Sequence, residues 1–187
     1  MLIFKKLNPD LIETYMDFFD CMTYEHAPHW ASCYCHFYHA NVPPDVWKER
    51  TGEQNKRSVV QDIYNGRMTG FMALKKERCI GWANVNDVTR YAKLAKELAP
   101  YIQEKKVALS ICYVIHPDDR NQGVSRALLD HAISFYRESG YDFMLALPMK
   151  AENHHVKHYR GSVNMYLERG YEIIDMKDDI AVMRKML

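Results

Sequence analysis

The stretch from Pro117 to Arg126 is the part of the chain best suited to bind an anion. It joins an apolar run, Val107 to Ile115, to a run whose apolar residues have helical spacing. The free N–H groups at the start of such a helix, and the positive end of its dipole, attract negative charge. Gly123 has no side chain that would keep a phosphate from the main chain. We therefore predict a phosphate site at the main-chain amides of this turn.

Tyr166 is a second residue able to do chemistry, and it stands shortly before Gly170 on a predicted short helix. Its phenol has an ordinary pKa near 10, so it is protonated at neutral pH and can donate a proton. A lone tyrosine on a short helix more often packs its ring against a sheet. The catalytic interpretation therefore depends on the upstream phosphate site as well as on Tyr166.

These two segments resemble motifs of the GNAT superfamily of N-acetyltransferases. The acetyl-CoA motif of that family is Arg or Gln, two residues, Gly, one residue, then Gly or Ala. This chain has Arg120, Gly123 and, at the last place, Ser125. Residues 166–171 resemble the family's helix that ends in tyrosine, three residues, glycine and an aromatic. The resemblance is nearly full length, and only residues 21–44 fall outside it.

The resemblance implies that acetyl-CoA is the cosubstrate and that its acetyl group moves to a primary amine by direct attack. It implies that Tyr166 is the general acid and that the main chain at Tyr113 polarises the thioester carbonyl, as an oxyanion donor does. Pantetheine would bind at Ile115, and the amides of residues 122–126 would hold the pyrophosphate. The cofactor-binding residues implied are Ile115, Arg120, Gln122, Gly123, Val124, Ser125 and Arg126.

Ser125 departs from the Gly or Ala of the acetyl-CoA motif, and three further positions also depart from the family pattern. Tyr159 and Ser162 stand where the family often has asparagine and alanine ahead of its tyrosine. Leu109 stands where some members have a glutamate base, four residues before the oxyanion position. An ammonium group must lose a proton before it attacks a thioester, so a base has to lie elsewhere in the chain. The candidates for this base are Glu152, His154, His155, His158, His26 and His29.

The elements that position these groups follow from apolar spacing and turn residues. The apolar run Phe143 to Leu147 is typical of a strand buried on both faces, and the helix before it indicates parallel pairing with Val107 to Ile115. Together with the resemblance, this predicts one GNAT-like domain over residues 1–187 with a mixed α/β (α+β) fold. We expect a mostly antiparallel sheet of about six or seven strands with a splayed parallel pair, and helices on both faces. Further strands are predicted at 2–7, 71–75, 79–85, 172–174 and 180–185, and helices at 9–19, 53–64, 122–139 and 162–169.

Composition limits the class of protein and its partners. Apolar residues make up 48% of the 187 residues, enough for a substantial core without disulfides. The formal net charge of +1 argues against a nucleic-acid or anionic-membrane partner. No apolar run suits a signal peptide or approaches the roughly 20 residues of a membrane span. We expect a cytoplasmic protein acting on a small-molecule or peptide amine, with homodimerisation through the C-terminal strands left open.

The five cysteines are expected to be reduced thiols. Cys33 and Cys35 are flanked by histidines, a set of side chains able to bind a soft metal ion. They are separated by one residue, however, whereas structural zinc sites usually leave two to four. We therefore expect no metal and keep three hypotheses in order: an N-acetyltransferase, a non-catalytic CoA-binding sensor of the same fold, and a Cys/His metal-binding protein.

Overall fold

The computed structural model describes residues 1–25, 27–150 and 159–187. The base candidates His26, Glu152, His154, His155 and His158 lie outside the described residues. Within those three ranges, no helix has the length and apolar character needed to cross a lipid bilayer.

One mixed sheet forms the centre of the protein. Its strands are β1 (Ile3–Lys6), β2 (Phe71–Lys75), β3 (Arg78–Asp87), β4 (Val107–Ile115), β5 (Phe143–Ala146), β6 (Glu172–Lys177) and β7 (Ile180–Met186). The strand order is β1-β2-β3-β4-β5-β7-β6. Neighbouring strands are antiparallel except β4 and β5, which are parallel. The structure thus confirms the predicted mixed fold and its parallel pair.

Helices cover both faces of this sheet, as predicted. They are α1 (Ile12–Asp20), α2 (Pro44–Glu49), α3 (Gly52–Tyr64), α4 (Ala95–Ile102), α5 (Val124–Glu138) and α6 (Val163–Leu167). One core cluster contains Tyr15, Ile63 and Leu98 from α1, α3 and α4. A second, on the opposite face, contains Leu128 and Met165 from α5 and α6. The short helix α2 was not predicted from the sequence.

Local sequence explains where α5 begins and ends. Gly123 precedes the helix with φ of 77°, and Gly140 follows it with φ of 69°. Both values lie in the left-handed region, which glycine adopts without steric cost. Val124, Leu128 and Ala132 recur at helical spacing and are buried against the sheet.

β4 and β5 separate partway along β4. The last residues paired across the two strands are Ser110 and Ala146. β4 continues through residues 111–115, whereas the chain after β5 stays beside β7, where the Ala181 N–H donates to the Pro148 carbonyl at 2.9 Å. The pair is therefore splayed, as predicted. We call the gap between residues 111–115 and the chain after Ala146 the cleft.

An extra residue, Ile111, interrupts the alternation of side chains in β4. The register with β3 shifts at this point, just before Cys112, which lies opposite Asn84. Ile111 and Cys112 consequently both pack into the cluster beneath α1 and α3. Ser110 and Tyr113, three positions apart, both lie on the α5 face. In a regular strand, residues three positions apart point to opposite faces.

Buried polar side chains hold the irregular segment 21–44 against β3 and α3. The Asn84 Nδ2 donates to the Cys35 carbonyl at 3.0 Å, and its Oδ1 is 3.1 Å from the His39 Nε2. The His36 Nε2 is 2.8 Å from the Asp62 Oδ2 on α3. Burial lowers the pKa of His39 to about 4, so this imidazole is neutral at pH 7. The segment, which contains a short 3₁₀ helix at Pro28–Ser32, is therefore anchored to the sheet.

The Asn84→Ala variant should be less stable by about 1–3 kcal/mol, because the buried Cys35 carbonyl and the His39 ring lose their partners. Amide hydrogen exchange should also accelerate within residues 21–44. The matched control is Asn86→Ala, also on β3, whose buried amide bonds elsewhere. Equal exchange in segment 21–44 for the two variants would contradict the anchoring role of Asn84.

Candidate active site

The start of α5 presents main-chain N–H groups that no helical carbonyl can accept. The Ala127 N–H makes the first bond of the helix, to the Gly123 carbonyl at 3.0 Å. The N–H groups of Val124, Ser125 and Arg126 precede that bond, so they have no partner within the helix. Apart from its chain neighbours, no described atom lies within 4 Å of the position that a Cβ would take on Gly123. An anion can therefore approach these amides directly.

Gly81 allows the start of α5 to lie close to the end of β4. A Cβ at this position would be 2.9 Å from the Ile115 Cδ1 and 2.9 Å from the Val124 Cγ1. A side chain there would push α5 away from the sheet. Sequence analysis missed this positioning role, although a glycine inside a buried strand is a known sign of close approach.

Asp119 fixes the loop that leads into α5. Only 3% of its side chain is exposed. The carboxylate accepts hydrogen bonds from Lys75 Nζ at 3.3 Å and from Arg78 Nη2 at 2.7 Å. Although burial opposes the charge, these two cations lower the pKa of Asp119 below its ordinary value. The sequence identified Asp118 and Asp119 only as an acidic run, and nothing in it linked Asp119 to the β2–β3 turn.

The predicted cofactor side chains in this loop have partners within the protein. The Arg120 Nε donates to the Ile115 carbonyl at 3.2 Å. The Gln122 Nε2 donates to the Asp118 carbonyl at 2.9 Å. The Arg126 guanidinium contacts both oxygens of Glu168, at 3.0 and 3.3 Å. The anion-binding capacity of this loop therefore comes mainly from its amides, and these side chains stabilise its shape.

Three hydroxyl groups form a chain at the closed end of the cleft. The Tyr166 phenol donates to the Arg160 carbonyl at 2.8 Å. Its single hydrogen is thus used, so the Ser110 hydroxyl, 3.0 Å away, must donate to it. The Tyr113 phenol, 2.7 Å from the Ser110 Oγ, must in turn donate to Ser110. The bulge at Ile111 makes this chain possible, because it places Ser110 and Tyr113 on one face.

Both phenols of this chain are buried and stay protonated at neutral pH. Tyr166 is fully buried, and burial raises its pKa well above 10. Burial likewise raises the pKa of Tyr113 to about 12. Groups in this state can donate a proton but cannot serve as bases near pH 7. The sequence motifs point only to the main chain of Tyr113, and none of them marks Ser110, a polar residue within an apolar strand.

Gly161 lies against the ring of Tyr166. Its φ is 80°, and a Cβ there would be 3.1 Å from the Tyr166 Cε2 and 2.4 Å from the Met165 Cε. Ser162 then caps α6, since its Oγ accepts from the Met165 N–H at 3.2 Å. The chain from Arg160 to Ser162 thus fixes the position of Tyr166 from the side opposite Ser110.

Aromatic side chains surround the guanidinium of Arg160. We call Arg160, Tyr38, Tyr159 and Trp30 the Arg160 cluster. The Arg160 Nη2 donates to the Tyr38 hydroxyl at 2.7 Å. The guanidinium carbon is 5.6 Å from the centroid of each of the Tyr38 and Tyr159 rings. Trp30 packs edge-on against Tyr159 with centroids 5.1 Å apart. The segment 21–44, which carries Tyr38 and Trp30, therefore lines one side of the cleft.

No general base can be assigned among the described residues. Leu109 is fully buried, and of the candidates only His29 is described, as an exposed residue beside Trp30. None of the described carboxylates makes a hydrogen bond or ion pair with Ser110, Tyr166 or Arg160. The deprotonation of an amine is thus not explained by a side chain in the described part of the site.

The cysteine and histidine residues of segment 21–44 are not arranged as a metal site in the described ranges. No group of three or more His, Cys, Asp or Glu side chains there is placed to hold a metal ion. Burial raises the pKa of Cys33 to about 12, which keeps its thiol protonated. The Cys35 sulfur instead lies 3.4 Å from the Asn84 amide nitrogen.

A separate surface depression lies at the opposite end of β4. Lys6, Asp87, Arg90, Lys106 and Tyr141 are among the residues that line it. It contains none of the residues predicted to bind or transfer a group. The cleft remains the candidate site, because the unpaired amides lie at one end of it and the hydroxyl chain at the other.

The family model described as the acetyltransferase (GNAT) family matches residues 13–171 of this chain. The match runs across segment 21–44, which the resemblance drawn from sequence motifs had left out. No curated protein sequence matches the chain significantly.

Solved structures of N-acetyltransferases share the fold along the entire chain. The PaiA N-acetyltransferase from Thermoplasma acidophilum, in complex with coenzyme A, has a TM-score of 0.57 at 12% identity, and the match covers 100% of this chain and 99% of that one. A Drosophila melanogaster polyamine N-acetyltransferase has a TM-score of 0.59 at 12% identity, with 100% of both chains covered. The mosquito arylalkylamine N-acetyltransferase-like 5b has a TM-score of 0.60 at 11% identity, again with 100% of both chains covered. At such low identity these likenesses concern the fold alone.

The Asp119→Asn variant should lose about 1–2 kcal/mol of stability at pH 7, because Lys75 and Arg78 lose an anionic partner but remain half exposed. The pKa of Asp119 is lowered in the folded state, so its contribution is present above the unfolded pKa of about 3.9. It is lost as the pH falls through the lower folded pKa. Urea unfolding at a series of pH values should show the difference shrinking below about pH 4.

Asp118→Asn is the matched control for this measurement, since 81% of the Asp118 side chain is exposed. It should change stability little at any pH. A wild-type advantage over Asp119→Asn that stays constant down to the acid transition would contradict the charge-based role of Asp119.

Proposed function

Since this chain belongs to the GNAT family of acetyltransferases, we propose that it transfers the acetyl group of acetyl-CoA to a primary amine by direct attack. The main support is that one cleft has unpaired amides at its open end and a protonated phenol, Tyr166, at its closed end. This arrangement suits a ligand with a phosphate at one end and a thioester at the other.

The residues present fit acetyl-CoA along the length of the cleft. In this proposal the amides of residues 122–126 bind the pyrophosphate, and Gly123 lets it approach. The pantetheine arm lies along the unpaired edge of β4 and bonds the main chain at Ile115. The N–H of Tyr113 polarises the thioester carbonyl. Arg120, held on the Ile115 carbonyl, lies between the phosphate and pantetheine sites and supplies positive charge to both.

The chemical step needs one proton donor and one free amine. The neutral amine attacks the thioester carbon, the N–C bond forms, and the C–S bond breaks. The Tyr166 O–H turns from the Arg160 carbonyl to the departing thiolate and gives it the proton, and the proton released by the amine restores the phenol through solvent. The Ser110 hydroxyl, which donates to the Tyr166 oxygen, stabilises the phenolate formed in between.

The acceptor amine is deprotonated by solvent in this proposal. Leu109 occupies the position of the family's glutamate base, and no described carboxylate replaces it. Only the neutral fraction of the amine then reacts, and this fraction rises with pH up to the pKa of the amine. Amines with a low pKa, such as peptide α-amines near 8, are favoured over those near 10.

The named activities of two structural neighbours agree with an amine acceptor. One neighbour is a polyamine N-acetyltransferase and another is an arylalkylamine N-acetyltransferase-like protein. A CoA-binding sensor without catalysis is the second candidate, and the observation that favours it is Leu109 at the base position. Binding and turnover have to be measured separately to distinguish the two.

We also propose a single domain over residues 1–187, with homodimerisation through the C-terminal strands as its assembly. β6 is an edge strand of the sheet and exposes the apolar side chains of Ile173 and Met176. Edge strands with exposed apolar residues favour pairing with another chain.

Acetyl-CoA should raise the melting temperature of the protein, because a ligand that binds only the folded state stabilises it. At about 100 times its dissociation constant, the gain is about 2.7 kcal/mol, or roughly 5–10 °C for a chain of this size. Differential scanning fluorimetry measures the shift, and dephospho-CoA and free pantetheine separate the contributions of the phosphates. No shift at saturating acetyl-CoA would exclude both the enzyme and the sensor.

The Tyr166→Phe variant should lower kcat by about 100-fold or more, because the thiolate loses its proton donor. Ser110→Ala should have a smaller effect, since the donor remains but the phenolate is less stabilised. Thiol release from acetyl-CoA with an amine panel measures both rates.

Tyr171→Phe is the matched control for the loss of a buried phenol. The Tyr171 hydroxyl is buried and has no hydrogen-bond partner among the described atoms, and its ring centroid is 5.1 Å from that of Tyr166. This variant should retain wild-type kcat. If Tyr166→Phe also retains it, Tyr166 is not the acid.

A further inference from the structure

We infer that Arg160, Tyr38 and Tyr159 bind a carboxylate of the acceptor, so that the preferred substrate is an amine that also carries a carboxylate. This inference rests on the proposed function and names the substrate class for the same cleft. It follows from the partners of the Arg160 guanidinium, from the hydrogens those partners leave unused, and from the position of Arg160 beside Tyr166.

The guanidinium of Arg160 is partly buried among neutral groups. Its Nη2 donates to the Tyr38 hydroxyl at 2.7 Å, its Nε to the Tyr159 hydroxyl at 3.3 Å, and its Nη1 to the Leu147 carbonyl at 3.4 Å. No carboxylate in the described ranges contacts it. The guanidinium of Arg126 pairs with Glu168, and that of Arg169 pairs with Asp130 and Glu168, whereas Arg120 contacts the Ile115 carbonyl. A cation withdrawn from water among neutral partners attracts an anion strongly.

The Arg160 cluster has N–H and O–H groups that do not bond to other described residues. Arginine has five N–H groups, and Tyr38, Tyr159 and Leu147 accept from three of them, so two have no partner among the described residues. The two phenol oxygens are 2.9 Å apart, so one O–H donates to the other, and the second hydroxyl hydrogen likewise has no partner in the described ranges. Two N–H groups and one O–H group match the two oxygens of a carboxylate. An ammonium group, which only donates, could use none of these three donors.

The same residue connects this anion site to the proposed chemistry. The Arg160 carbonyl accepts the hydrogen of Tyr166 at 2.8 Å, and Leu147 directly follows Ala146, where β5 separates from β4. The side chain leaves this point toward Tyr38 on segment 21–44. The inference therefore places the carboxylate at the guanidinium of Arg160 and the amine near Tyr166, which contacts the main chain of the same residue. An amino acid carries both groups in one small molecule.

The positive charge of Arg160 should favour an acceptor amine that carries a carboxylate over a polyamine or an arylalkylamine, the acceptors named for the two structural neighbours. A polyamine carries a second cation, which Arg160 would repel. An arylalkylamine could use the aromatic wall formed by Trp30 and Tyr159, but it would leave the guanidinium without an anion. An amine bearing both an apolar group and a carboxylate uses every part of the cluster.

The test compares matched trios of acceptors: phenylalanine, its amide, and 2-phenylethylamine, with a second trio built on leucine. With kcat/KM corrected for the neutral fraction of each amine at the assay pH, wild-type protein should acetylate the carboxylate member at least 10-fold better than the amide and the plain amine. In Arg160→Gln this ratio should fall toward one, while Arg160→Lys should retain part of it. Tyr38→Phe, which removes only a hydroxyl, should give an intermediate ratio.

Arg57→Gln is the control for loss of a surface charge, since 76% of that side chain is exposed on α3. It should keep the wild-type ratio. Absence of a carboxylate preference in wild-type protein, or an equal loss on all three members in Arg160→Gln, would overturn the inference. Circular dichroism confirms that each variant is folded.

A binding measurement keeps the inference testable without turnover. In the presence of CoA, N-acetylphenylalanine should bind the wild-type protein at least 10-fold more tightly than N-acetylphenylethylamine, and Arg160→Gln should lose this difference. Selective binding that depends on Arg160, without any acetyl transfer, would support the anion site and refute the enzyme. Acetyl transfer to amines without carboxylate selectivity would support the enzyme and refute the anion site.

Discussion

The site depends on one constraint: β4 gains an extra residue at the point where β5 leaves it. Pairing with β5 ends at Ser110, and the bulge follows at Ile111. Residues 111–115 are then left with one edge that β5 does not pair. Unpaired main-chain groups in a sheet are costly unless water or a ligand bonds to them. An extended ligand that carries amides can satisfy them in the manner of an added strand.

The same bulge separates two chemical environments on the two faces of the sheet. It turns Ser110 and Tyr113 together toward α5, where their hydroxyls join Tyr166 in a buried, protonated chain. It turns Ile111 and Cys112 together toward the opposite face, beneath segment 21–44. Regular alternation would have placed Tyr113 on the wrong face for the Ser110 hydroxyl. The proposed proton donor and the proposed acceptor contacts thus lie at the closed end of the cleft without sharing side chains.

Sequence patterns predicted those strands and helices whose positions depend on the local spacing of apolar and turn residues. The limits of β4 and the presence of α5 follow from apolar periodicity and from Gly123 and Gly140, and the parallel pairing follows from the strand-helix-strand order. The bulge leaves no mark in an apolar run, so the hydroxyl chain could not be predicted. The contact of Arg160 with Tyr38 joins residues 122 positions apart, which no local pattern encodes. Tyr159 was noticed as a departure from a motif, and only the structure shows it beside Arg160.

The two halves of the cleft also differ in how strongly they constrain the sequence. In the proposed phosphate half the binding groups are main-chain amides, which most residues supply, and Gly81 and Gly123 meet the special requirements. In the proposed acceptor half the groups are side chains of Arg160, Tyr38 and Trp30, and segment 21–44 carries the last two. Polar anchors such as Asn84 and Asp62 hold that segment independently of the residues that face the cleft. Residues that face the cleft can therefore change while the fold persists, which agrees with a shared fold at 11–12% identity.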